Sequence, residues 1–361
     1  HFDINKEIYD EALDDLKEFF APLKDACKVK DFGEVTYNPE ASPGFVMSKI
    51  FKCRNKKDCV VYQPYFQKFW DTAYLIDYPC LHNACSKQEN LPFEKIKENN
   101  LRNFIVQPME LFLMEARMDQ DMNEKMCEPE FSWKSPFRHG INMSHGGYAA
   151  FVNKHCRPLR SLKTGYSSKP RHVDGDCSRW DSKDGQELQD ASTEIRFYTW
   201  DKKGMSKKEY ILRRKYVDKQ GYVTFVVLSS GQVFVKNDFK VSGRVDTTDN
   251  NCIEHNFSLC LSWRLHYGRS LYNDFERYIT ISLYADDHIL SLHPDSDFCK
   301  FEVRSFLYGK QGLLLKPEND FVSDSFVGHT FLGLVAVPDN GDIVPSFGSE
   351  VLVPSFDGNK A

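Results

Sequence analysis

The chain has 361 residues, 41% hydrophobic, 14% aromatic and 27% charged, so it can bury a sizeable core and lies far from disordered or low-complexity compositions. Its 47 basic and 52 acidic side chains leave a net charge of −5, which excludes a histone-like mode of binding while leaving room for a local basic channel. No apolar run approaches the ~20 residues that span a bilayer, and the 11 cysteines, odd in number and irregularly spaced, point to a reducing compartment rather than a disulfide framework. The chain opens on His1 without a charged-then-apolar leader, as expected of a piece cut from a longer polyprotein.

From Asn5 to Leu23, Ile8, Leu13, Leu16, Phe19, Phe20 and Leu23 recur at helical spacing among acids and lysines, which predicts an amphipathic helix. Two prolines and a glycine in Asn38-Pro39-Glu40-Ala41-Ser42-Pro43-Gly44 then break regular structure. Between 50 and 90, Cys53, Cys59, Cys80, His82 and Cys85 offer soft ligands of the kind zinc takes, but no CxxC pair is present, and ordinary buried or surface thiols are the reading adopted. A basic stretch with Lys95, Lys97 and Arg102 leads into the strand-like Asn103 to Gln107. Pro108 then marks the switch to a helix rich in Met and Leu, because proline suits a first helical turn and not a strand interior.

Residues 136–170 are rich in Gly, Ser, Lys and Arg. The second half predicts a hairpin (Tyr216 to Val227, a Ser230-Gly231 turn, then Gln232 to Val235), a helix near 248–265, and a second hairpin around Ala285-Asp286-Asp287. Short strands alternating with helices and long insertions give an α+β fold class.

Asp174, Asp176, Asp181 and Asp184 crowd one short segment, and Asp286 and Asp287 sit between the apolar runs 281–284 and 288–290. Carboxylates inside strand-like runs are costly, and carboxylates from separate strands are a common way to grip Mg²⁺ beside substrate phosphates. For Asp286-Asp287 alone, a solvated hairpin tip is the competing reading. Between the two blocks, Ser242-Gly243 can bend the backbone close to a ligand, and the hydroxyls and amides up to Asn251 lead into a helix. Such a loop can read a ribose, although taken singly it is a turn and an N-cap.

The order of these blocks carries a resemblance. Asp176 and Asp181 five apart, then Ser242-Gly243 with Thr247 at +5 and Asn251 at +9, then Tyr284-Ala285-Asp286-Asp287, resemble the three palm motifs of the RNA-dependent RNA polymerases of positive-strand RNA viruses. The wording of the second motif leans towards the astrovirus- and potyvirus-like branch of the picornavirus supergroup. Ser42-Pro43-Gly44 is similar to a segment of that family's fingers, and Lys95, Lys97 and Arg102 with 103–108 to its basic finger motif. Gly312 to Pro317 is similar to the fourth palm motif, and Phe331 to Leu334 to the short hairpin after it, so the resemblance runs from 38 to 335.

The resemblance implies a right-hand polymerase with an antiparallel-sheet palm flanked by helices and with mixed fingers. Only 30 residues follow Phe331, too few for the family's helical thumb, which is expected to be largely missing. The expected parts are fingers over 1–170, palm over 171–190, an insertion with a hairpin over 191–236, palm again over 237–335, and the start of a thumb or a truncated tail over 336–361.

The implied activity is template-directed synthesis of RNA from ribonucleoside triphosphates on an RNA template, for viral genome replication and transcription. Two Mg²⁺ ions, for which Mn²⁺ can substitute, are expected between Asp176 and Asp286 with Asp287 near them. Lys95, Lys97 and Arg102 would neutralise the triphosphate, and Asp181, Ser242, Gly243, Thr247 and Asn251 would form the ribose-binding set. Asp320 stands where many relatives keep a lysine, which leaves Lys316 as the candidate proton donor. The implied partners are RNA template and product strand, nucleoside triphosphates and other viral replication proteins, with no transmembrane segment in the chain itself. The implied place is the host cytoplasm, in membrane-associated replication complexes.

Two other readings stand beside this one. Ala285 replaces the usual glycine, and a Tyr-Ala-Asp-Asp string is also common in reverse transcriptases, but those enzymes lack the Ser-Gly-x-x-x-Thr-x-x-x-Asn pattern. The other alternative is a thumb-less, non-catalytic RNA-binding fragment.

Overall fold

The computed structural model describes residues 4–86, 97, 103–177, 180, 185–222, 224–228, 230–236, 241 and 243–347. Its principal helices are α1 (Lys6–Phe19), α2 (Gly44–Lys49), α3 (Gln63–Thr72), α4 (Met109–Met126), α5 (Pro129–Lys134), α6 (Gly147–His155), α7 (Gln186–Thr199), α8 (Lys207–Tyr222), α9 (Thr247–Tyr267), α10 (Leu271–Asp274) and α11 (Phe301–Gly309). The strands are β1 (Leu81–Ser86), β2 (Asn103–Val106), β3 (Leu159–Arg160), β4 (Ser167–Ser168), β5 (Arg171–Gly175), β6 (Thr224–Val227), β7 (Val233–Lys236), β8 (Ile279–Tyr284), β9 (Asp287–Leu292), β10 (Phe321–Ser323), β11 (Thr330–Phe331), β12 (Leu334–Asp339) and β13 (Asp342–Phe347). This is a mixed α+β chain, as its sequence predicts.

Two compact units divide the chain, one of residues 1–22, 125–195 and 248–361, the other of residues 23–124 and 196–247.

The first unit is built on a four-stranded antiparallel sheet in the order β10-β5-β9-β8. From Ile279 to Leu283 and from His288 to Leu292 every residue of the β8–β9 hairpin is buried, so both faces of that hairpin are covered. On one face Cys252 and His255 of α9 reach the hairpin turn, with the Ala285 amide donating to Cys252 Sγ at 2.8 Å and His255 Nδ1 3.1 Å from the Ala285 carbonyl. The amphipathic α1 forms as expected. Its Asp15 accepts two bonds from Arg264 of α9, both at 2.8 Å, and Tyr9 lies edge-on to Phe257.

On the opposite face a polar relay runs through an otherwise apolar layer. His155 of α6 bonds Ser282 of β8 and Ser291 of β9, each at 2.7 Å, and Ser291 also meets His172 of β5 at 2.7 Å. Arg138, 1% exposed, donates to Ser282 Oγ and to the carbonyls of Ser132, Ser135, Phe137 and Ile281. Buried polar groups persist only when satisfied in this way.

The second unit carries a four-stranded sheet in the order β2-β1-β6-β7, with β1 and β6 parallel and the outer pairs antiparallel. Trp70, Met114, Met118, Trp200, Tyr210 and Val217 share its main core. The strand-Pro108-helix switch is present as β2 followed by α4, and the Met109 amide donates to the Pro43 carbonyl, which ties the Ser-Pro-Gly segment to the start of that helix.

The expected first strand of the Tyr216–Val227 hairpin needs correction. Residues 216–222 complete α8, and only Thr224–Val227 are extended. The buried positions Tyr210, Arg213, Arg214, Val217 and Gln220 follow a helical period through this stretch, while its β-branched and aromatic composition favours a strand in isolation. Among the candidate zinc ligands, Cys53 and Cys59 lie in one core cluster and Cys80 in another, where its thiol contacts the Tyr216 hydroxyl. Among the described residues these side chains form no metal-binding group.

The relay gives a stability prediction. Burial holds His155 well below its usual range and brings His172 down to about 4. An unfolded histidine takes up its proton near 6.5, so the contribution of each neutral ring is full above that value and is lost as pH falls below it, for His172 down to about 4, at about 1.4 kcal/mol per pH unit. Denaturant unfolding of the parent and of His172→Gln at pH values on either side of about 6 is expected to show a flatter profile for the variant. Parallel profiles would mean that the ring is not held neutral by the fold.

Candidate active site

In the first unit the end of β5, the β8–β9 turn and the segment from Glu318 to Thr330 line one cavity of about 610 Å³. Asp174, Asp176, Asp286, Asp287, Glu318 and Asp320 all face it, which makes it strongly acidic.

Each carboxylate arrives by a definable local route. Asp176 follows β5, and its carbonyl accepts from the Lys316 amide while Cys177 pairs with Leu315. That short ladder brings Lys316 Nζ to 2.5 Å from Asp176 Oδ2, and Asn319 Nδ2 donates to the same oxygen at 3.1 Å. Asp286 and Asp287 are set by the tight hairpin, in which Tyr284 pairs with Asp287. Ala285 in the turn has φ 55°, a left-handed conformation that favours glycine, in keeping with the glycine that the resemblance leads one to expect there.

The segment around β11 supplies backbone donors. The Leu332 amide bonds Asp287 Oδ2 and the Thr330 amide bonds Asp174 Oδ2, both at 2.8 Å, and His329 Nδ1 lies 3.2 Å from Asp174 Oδ1. Arg304 holds Asp320 at 2.6 Å. Burial, reinforced by the neighbouring Asp286, Asp176 and Asp174, pushes the Asp287 carboxyl up to about 7 against the pull of the Leu332 amide. Such crowding of oxygen ligands is the donor set of a hard divalent cation.

Asp176, Asp286, Asp287 and Lys316 are thus brought together. Asn251 lies in α9, where its Oδ1 is buried with no hydrogen-bond partner. Gly243 and Thr247 belong to the second unit. The Gly243 backbone bridges to Val106, so close to β2 that a Cβ there would meet the Ile105 carbonyl at 2.3 Å. Thr247 Oγ1 donates within its own turn, to the carbonyls of Val241 and Arg244 at 3.2 and 3.3 Å, so its hydroxyl shapes the loop. Lys97 is helical and exposed, and Lys95, Arg102, Asp181 and Ser242 lie outside the described residues.

A second acidic group, Glu115, Asp119 and Asp246, lies in the second unit, with ligand atoms within 4.8 Å of one another. Arg214 bonds Asp119 at 2.6 and 2.7 Å, and Arg244 bonds Glu115 at 2.7 Å and Asp246 at 3.0 Å. Guanidinium groups therefore already pair with every acid of this cluster. Sequence reasoning missed it, together with Asn319 and the amides of Thr330 and Leu332. Only acids at helical spacing on α4, Glu115 and Asp119, signalled the cluster, and backbone donors leave no residue-type signal.

The family model described as viral RNA-dependent RNA polymerase matches residues 30–355 of this chain. The chain is also similar to the non-structural polyprotein 1AB of Ovine astrovirus 1, with 23% identity over 336 residues, covering 88% of this chain and 23% of the polyprotein. It thus spans less than a quarter of that relative's length. With the acidic cavity and the match over most of its length, the chain belongs to the viral RNA-dependent RNA polymerase family.

Proposed function

We propose that this chain, as part of a viral polyprotein, joins ribonucleoside triphosphates on an RNA template by two-metal phosphoryl transfer. The observation that carries the reading is the convergence of Asp176, Asp286 and Asp287 on one cavity from two separate chain segments. The donor set fits divalent metal, since it is all oxygen and its carboxylates are crowded enough to drive Asp287 towards neutrality unless positive charge is supplied. Two Mg²⁺ ions held by Asp176, Asp286 and Asp287 would activate a primer 3′-hydroxyl and neutralise the triphosphate.

The chain's own residues do the positioning. The Leu332 amide and the Asn319 side chain fix the orientations of Asp287 and Asp176. Lys316 stands beside Asp176 with an ammonium proton available for transfer, which supports the role expected of it. Asn251 offers a buried, unbonded amide oxygen, a fit for the donor side of a ribose 2′-hydroxyl. Lys95, Lys97 and Arg102 complete the reading as triphosphate ligands, with Asp181 and Ser242 as partners of Asn251. The same reading makes RNA, nucleotides and other viral replication proteins the partners, in membrane-associated complexes of the host cytoplasm. No helix among the described residues is long and apolar enough to cross a membrane.

Replacing Asp176 or Asp286 with Ala is expected to lower nucleotide incorporation on a primed RNA template by at least ~10²-fold with the fold intact, by analogy with other lost electrostatic contacts to a transition state. Incorporation at the parental rate by either variant would refute the assignment. Because Asp287 must give up its proton to bind a cation, Mg²⁺ affinity is expected to rise as pH increases through about 7, and calorimetric titration at several pH values reads this directly. An affinity independent of pH would contradict it.

Asn251→Ala is expected to reduce the preference for a ribonucleotide over its 2′-deoxy partner. A site that bonds a hydroxyl rejects the analogue lacking it by up to about 10⁴–10⁵. Thr247→Ala is expected to act mainly on stability, by about 1 kcal/mol for the lost hydroxyl hydrogen bonds. Incorporation ratios and melting curves for both variants separate the roles, and an unchanged ratio in Asn251→Ala would remove it from ribose recognition.

A further inference from the structure

The turn after Ser242-Gly243 is anchored by a side chain at a position that the Ser-Gly-x-x-x-Thr-x-x-x-Asn pattern leaves open. Arg244, 9% exposed, donates from Nε to Glu115 of α4 at 2.7 Å and from Nη2 to Asp246 at 3.0 Å. Glu115 also accepts from Gln107 Nε2 at 2.5 Å, and Gln107 directly follows β2, the strand that continues the basic finger motif. Gly243 bridges to Val106 at the end of the same strand. The far end of the guanidinium lies against Gly221 of α8, where a Cβ would come within 1.9 Å of Nη1. Behind it Arg214 ties Asp119 to Asp218.

Two segments that the family resemblance assigns to different parts of the nucleotide, the strand after the basic motif and the turn leading into the helix of Asn251, are therefore clamped through one guanidinium. A fork that bonds two acids at once fixes orientation as well as distance, which a point charge does not. We propose that Arg244 is a positioning residue for nucleotide selection: seated between Glu115, Asp246 and the bare Cα of Gly221, it fixes the turn from Gly243 to Thr247 against β2. The proposal rests on the polymerase reading and extends it to side chains outside the family motifs.

The test uses primer extension on an RNA template with Mg²⁺, measuring kcat and KM for a ribonucleotide and its 2′-deoxy partner together with melting temperature. Glu115→Gln weakens the clamp at one end. Gly221→Ala keeps every charge and is otherwise favourable in a helix, but its methyl group displaces the guanidinium. Both are expected to raise KM for the ribonucleotide and to lower the ribo-to-deoxy ratio of kcat/KM by about 10-fold, the scale on which residues distant from a ligand modulate coupling. Arg244→Lys, which can reach one acid but not both, is expected to fall between parent and these variants.

A lowered melting temperature with an unchanged ratio would overturn the proposal, because a clamp that only holds the fold moves stability alone. Should Arg244→Lys fail to fold, Gly221→Ala decides in the same way. A parent that extends no primer would instead overturn the polymerase reading, and this proposal with it.

Discussion

Mutual repulsion of aspartates in one partly buried cavity is the constraint around which the first unit is organised. Like charges at such spacing raise one another's affinity for protons, and burial adds to the effect, as the position of Asp287 shows. Four of the six carboxylates that face the cavity are held by different devices. Lys316 and Asn319 hold Asp176, the Leu332 amide holds Asp287, the Thr330 amide holds Asp174, and Arg304 holds Asp320. The segment that provides several of these contacts is anchored by apolar packing as well, since Phe326 and Phe331 are buried in one cluster with Phe151 of α6 and Ile289 of β9.

Precision in the cavity also needs a stiff floor. The Arg138–Ser282–His155–Ser291–His172 relay joins β5, β8 and β9 to α6 behind the aspartates, and α9 closes the other face against the Ala285 turn. Hydrogen bonds in a dry layer are directional where apolar packing is not, so they fix the relative register of the strands that carry Asp176 and Asp287. The second unit uses the same principle more densely, with arginines 196, 214 and 244 paired with Asp119, Glu115 and Asp246. A buried charge left unpaired there is costly, which makes the cluster sensitive to loss of any single member.

Much of this was legible in the sequence wherever local chemistry and tertiary role agree. Pro108 separates strand from helix because its ring forbids the one and suits the other, and the Ala285-Asp286 turn is bounded by two apolar runs that can only be buried strands. Gly243 is a glycine because its backbone touches β2. The stretch 216–222 misled because its Tyr, Val and Tyr are strand-like in isolation, while Tyr216 and Val217 are buried from a helix that shares a core with Trp70 and Met114. The guanidinium clamp and the backbone donors of Thr330 and Leu332 were illegible for another reason. They depend on contacts between residues more than a hundred positions apart, or on amides that every residue possesses.

On the function proposed, divalent metal binds in the cavity between β5 and the β8–β9 turn, and not in the arginine-paired cluster of Glu115, Asp119 and Asp246. Anomalous diffraction from crystals of the protein soaked in Mn²⁺ tests this most directly. The account predicts anomalous density bounded by Asp176, Asp286 and Asp287, with none among Glu115, Asp119 and Asp246. Density at the second cluster with none in the cavity would contradict it.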